Sequence, residues 1–112
     1  MFSKVPSTFF GPGYSLSGSK IQMTTATAGA DVLLTKLTDA EANATTGDYR
    51  EILWAVCSAF WTKWQATPVG NLPTKVKLLK TVVANPDLTT QTETYTFTFT
   101  TNTDPTNVTA EP

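Results

Sequence analysis

The apolar positions fall into three patterns along the chain, and only one of them has helical spacing. From Asp48 to Ala66 the large apolar residues Tyr49, Ile52, Leu53, Val56, Phe60 and Trp64 recur at steps of three and four. That spacing lines one face of a 3.6-residue period and predicts a long amphipathic helix. Asp48 is a good N-cap, with Glu51 three residues on in a variant of the capping box. Pro68 closes the helix, because the residue before a proline is driven out of helical geometry. Trp54, Cys57 and Trp61 form a second stripe, away from the first. Large aromatics hide ~150–250 Å² each, so two of them are not left in water without a cover. The cover is either the chain's own sheet and loops or a neighbouring chain meeting Trp54 or Trp61.

The second pattern is strict alternation. Residues 92–101 (TETYTFTFTT) put Tyr95, Phe97 and Phe99 on one side and Thr94, Thr96, Thr98 and Thr100 on the other, which predicts a strand. Residues 74–84 (TKVKLLKTVVA) predict its partner across the Asn85-Pro86-Asp87 turn. A slip in the alternation at Leu78-Leu79 suggests a bulge or a strand buried on both faces. The hairpin's aromatic face is expected to cover the helix. Residues 20–25 predict a further short strand. Residues 31–37 (DVLLTKL) fit a strand through Val32 and Leu34 and a helix through Leu33 and Leu37, with the strand favoured. Thr38-Asp39-Ala40-Glu41 is a capping box and predicts a single helical turn before the loop at 43–47.

The third pattern is irregular. Phe2, Val5, Phe9, Phe10, Tyr14 and Leu16 are scattered among Pro6, Gly11-Pro12-Gly13 and several serines. Proline and glycine at that density break helix and strand alike, so residues 1–19 are expected to form an extended arm. A disordered tail is the alternative, but such tails are poor in aromatics. The arm's anchors Phe2, Phe9, Phe10 and Tyr14 dock either on a partner or on the chain's own domain. Residues 102–112 read as a polar tail. The organisation expected is an α+β protein: one long amphipathic helix packed on a small, mostly antiparallel sheet within a single domain at 20–101, with extended N- and C-terminal arms.

Composition narrows the function. The chain has 112 residues, a net charge of −1, no histidine and one cysteine. That leaves no charge reason to expect nucleic acid, and it removes the commonest general base and metal ligand. A disulfide within the chain and a cysteine-based zinc cluster are excluded as well. Cys57 reads as a small core hydrophobe. No acidic pair, phosphate loop or nucleophile set is spaced for catalysis, so no enzyme activity and no cofactor are expected. No apolar run is long enough for a membrane span and no leader is visible, so a soluble chain made in a cytoplasm is expected. Lys75, Lys77 and Lys80 make a modest basic edge that either blocks strand pairing or meets an acidic surface. Threonine supplies 23 residues and charged residues only 15%. A surface of hydroxyl and apolar groups suits lying against another protein.

With the aromatic arm, the GDYREIL helix start, the LPTKVKL turn-to-strand and the TYTFTFT strand in view, the layout over residues 31–101 resembles the small capsid decoration (cement) proteins of tailed phages, especially of cyanophage type. The resemblance implies a structural protein on the outer surface of the virion. Such proteins bind the major capsid protein, often as trimers, and staple adjacent subunits, with neither nucleic acid nor membrane as partner. The residues expected at that contact are Phe2, Phe9, Phe10, Tyr14, Trp54 and Trp61. A head–tail connector or tail component, and a free adaptor or carbohydrate-binding module stacking sugars on Trp54 or Trp61, are the alternatives.

Overall fold

The computed structural model describes residues 5–73 and 75–101. Phe2 and the 102–112 tail lie outside the described residues. The fold is α+β, and the chain divides after Pro68 into two compact units, each described by itself.

The first unit holds the long helix. Its opening segment is not the extended arm that the proline and glycine content suggests. Pro6 stands where a helix tolerates it, in the first turn of α1 (Pro6–Phe10). A 3-10 turn at Gly11–Gly13 follows. The chain then runs into β1 (Tyr14–Ser17), which pairs antiparallel with β2 (Lys20–Met23). Residues 31–37 are not the favoured strand either. Only Leu34 bridges, in parallel, to Thr25, and the rest is turn held by Thr24. The Thr24 hydroxyl donates to the Asp31 carbonyl and accepts the Leu33 N–H at 2.9 Å. This knot buries Leu33, Leu34 and Leu37, the heart of the core. Gly13 is pressed into it: a Cβ there would stand 2.7 Å from both the Asp31 carbonyl oxygen and the Leu33 Cβ.

The single helical turn is found at α2 (Asp39–Ala42), with Thr38 and Glu41 forming the reciprocal capping box. The Thr38 N–H donates to Glu41 Oε2 at 2.9 Å. The chain reverses through residues 43–48, where Gly47 passes so close to the Glu41 carbonyl that a Cβ would collide with it.

The long helix α3 (Tyr49–Ala66) starts at Asp48, whose carboxylate accepts the Arg50 N–H at 2.9 Å, and ends at Thr67. Its core-facing side is not the expected aromatic and aliphatic stripe. Ala55, Ser58 and Ala59 are the buried positions, with Ile52 and Val56 packed beside them, whereas Tyr49 and Leu53 are exposed. Small residues let the helix approach the three leucines of the knot. The large residues are spread around the remaining circumference.

In the second unit, a 3-10 turn (Val69–Asn71) leads into β3 (Val76–Ala84) and β4 (Gln91–Phe99). These form a two-stranded antiparallel hairpin, so the sheet content is two separate ribbons rather than one sheet. The register runs unbroken from Val76 opposite Phe99 to Ala84 opposite Gln91, so there is no bulge at Leu78-Leu79. Leu78 is buried and Leu79 exposed, so the strand is not buried on both faces either.

Candidate functional site

The aromatic anchors of the opening segment are placed together on the chain's own core. Phe10 stacks on Tyr14 at 5.1 Å between ring centres and meets Phe60 of α3 edge-on at 5.0 Å. Phe9 packs edge-on against Phe10 at 4.9 Å. Phe10 and Tyr14 also pack against the leucine core. Offset-stacked and edge-to-face contacts of this kind add ~0.5–1.5 kcal/mol per pair beyond the area they bury. Of the two docking modes open to Phe9, Phe10 and Tyr14, their contacts here are with their own unit.

Trp54 and Trp61 sit half-buried on α3. The Lys36 ammonium lies 4.7 Å from the Trp54 ring centre, a cation–π contact on one of its faces. A sugar stacking on that face would have to displace it. Cys57, in the same stripe, is half-buried, and burial raises its thiol pKa. A raised pKa keeps the reactive thiolate scarce at neutral pH, as suits a packing residue.

Lys80 does not belong to an exposed basic edge. In the hairpin register Lys80, Glu93 and Tyr95 share a face with Val76, Leu78, Phe97 and Phe99. Lys80 Nζ lies 3.5 Å from Glu93 Oε1, and the Tyr95 hydroxyl donates to the same oxygen at 2.7 Å. Burial first, and the Glu93 carboxylate second, raise the Tyr95 pKa. The opposite face carries Lys77, Leu79, Thr81 and Val83 against Thr98, Thr96, Thr94 and Thr92, all of them exposed.

Some of the exposed apolar side chains stand beside one another. Leu16 and Ile21 stand directly opposite each other on β1 and β2, 67% and 64% exposed, just beyond the Tyr14–Met23 pair that packs on the core. Tyr49 and Leu53 lie one turn apart on α3, at 78% and 63%. Leu79 and Val83 are exposed separately on the threonine face of the hairpin, with Thr81 between them.

The loop joining β3 to β4 is held by a dense set of hydrogen bonds. The Leu88 N–H donates to the Asn85 carbonyl at 3.0 Å, and the Asn85 N–H to the Thr90 carbonyl at 3.1 Å. Asp87 Oδ1 accepts the N–H groups of Thr89 and Thr90, each at 3.0 Å, and Oδ2 accepts the Thr90 hydroxyl at 2.8 Å. These bonds, the Thr90 hydroxyl's foremost, hold the Asp87 carboxyl below its usual pKa. Asn85 Nδ2 donates to Thr90 Oγ1 at 2.8 Å, and the Thr92 hydroxyl returns to Asn85 Oδ1 at 3.0 Å. At the tip Leu88 has φ +62° and is 87% exposed. Sequence reading takes 85–87 as turn chemistry and passes over Leu88. The signal was there: in a turn of this kind the residue after Pro-Asp is ordinarily glycine.

Among the described residues no group of His, Cys, Asp and Glu is placed to hold a metal ion, and no helix is long and apolar enough to cross a membrane. The fold and its surface define a small α+β protein whose distinguishing features are exposed apolar pairs and a rigid loop. Comparisons with protein-family models, with curated proteins and with solved structures found no match.

Proposed function

We propose that this chain is a non-enzymatic structural protein that works by lying on a larger protein assembly, as a decoration protein on the outer surface of a phage head. There it bridges subunits of the major capsid protein, as a homo-oligomer, with a trimer favoured. The observation that carries this reading is the pairing of exposed large apolar residues, Leu16 with Ile21 and Tyr49 with Leu53, on a chain with only 15% charged residues. Isolated apolar residues on a surface need no explanation, but grouped ones mark places where another surface lies. The experiment is rebinding. Mass spectrometry first identifies phage heads that carry the chain. Heads stripped of it are then mixed with the purified protein and run on a sucrose gradient. Protein migrating with the heads supports the reading, and protein left at the top of the gradient removes it.

A further inference from the structure

Among the described residues two other than glycine have positive φ, Asp31 at +53° and Leu88 at +62°. Aspartate visits this region readily because its short side chain bonds locally, whereas leucine has no such compensation. Leu88 is therefore strained, and the loop over-determines it. Pro86 presets the turn, the Leu88 N–H closes it onto Asn85, and Asp87, Thr90 and Thr92 lock both flanks. Glycine would fill this position without strain and expose no apolar surface. What leucine adds there is a branched apolar side chain, 87% exposed and held on a rigid stem. Strain of this kind is kept where surrounding structure supports it and is concentrated at contact sites.

We propose that Leu88 is a pre-organised apolar knob that seats in an apolar socket of a partner protein. Given the reading of the chain as a head protein, on which this rests, that partner is the capsid shell. The chemistry around the knob selects a protein partner. Its rim is Asn85, Asp87, Thr89 and Thr90, polar and without a cation, which repels the phosphates of nucleic acid and of an anionic membrane. A leucine ringed by polar groups offers a contact one apolar anchor, with neighbours able to hydrogen-bond around it as at the polar rim of an interface. Because the loop is already ordered, seating Leu88 loses little conformational freedom.

The test uses the full chain and stripped heads, with two substitutions at one position. Leu88→Asn removes the apolar group and relieves the strain, because asparagine tolerates positive φ. It should raise Tm by about 4 °C and weaken rebinding about tenfold or more. Leu88→Met keeps an apolar group in the same backbone and should rebind within about twofold of wild type. A Leu88→Asn chain that rebinds as wild type does would overturn the knob while leaving the head-protein reading standing. A Leu88→Met chain that loses as much as Leu88→Asn overturns it too, because loop shape and not the apolar group would then be responsible. If the wild-type chain fails to rebind, both readings fall together.

Discussion

Phe10 meets three rings, Tyr14 stacked on it and Phe9 and Phe60 edge-on, and its removal takes out the member they share. Phe10→Ala should lower unfolding free energy by about 2–4 kcal/mol, less than for a fully enclosed phenylalanine because Phe10 is only half-buried. Urea denaturation followed by near-UV circular dichroism measures this, and a change under ~0.5 kcal/mol would mean that the aromatic cluster adds nothing. Cys57 is expected to resist iodoacetamide at pH 8 in the folded chain and to react promptly in urea, because burial raises its pKa. Equal rates in the two conditions would contradict that placement. The Asp48 and Asp87 carboxyls have pKa values below their ordinary range, Asp48 through the Arg50 hydrogen bonds and Asp87 through Thr90 and Thr89. A depressed native pKa stabilises the fold above the unfolded value, near 4, and that stabilisation is lost as pH falls through the native value. Tm should therefore fall as pH drops below about 4. The fall should be shallower in Asp87→Ala, which has already lost the group.

At the scale of elements, local chemistry and distant chemistry separate cleanly. The helix from Tyr49 to Ala66 and the capping box at Thr38 were legible because their signals lie within a turn of the residues they order. The β3–β4 hairpin was legible for the same reason, through alternation on both sides of a turn. The register's lack of a bulge was not, because Leu78-Leu79 breaks the pattern only if both leucines have to be buried, and Leu79 is exposed. Residues 31–37 misled more deeply. Their turn is fixed by the Thr24 side chain and by the Gly13 backbone, both from another part of the chain. Gly13→Ala should accordingly destabilise by about 2–4 kcal/mol, since backbone and Leu33 would have to move apart. A Tm within 1–2 °C of wild type in a thermal scan would show that the knot is looser than described.

For the whole molecule, the misread opening segment shows why Phe9, Phe10 and Tyr14 could be singled out while their destination could not. Their neighbour Phe60 lies some fifty residues on, and nothing local announces it. Truncation of residues 1–19 should consequently unfold or strongly weaken the first unit, because it removes β1 and two rings that pack on the core. A fragment ending at Pro68 carries its own core and should keep the helical circular dichroism of α3. A two-stranded hairpin alone is marginal in water, so residues 69–101 by themselves should not hold their register. Hydrogen exchange on the two fragments tests both expectations.

All three indoles of the chain are on α3, and β3, β4 and the loop between them have none. Intrinsic fluorescence excited at the red edge is therefore an optical address for a single rod. A ligand that settles on the helix should move or quench the emission, with Lys36 beside Trp54 making one of the three emitters sensitive to its neighbourhood. The hairpin and its loop carry no indole of their own, so the emission belongs to the unit that holds α3. An unlabelled titration can thus report contact with the helix itself.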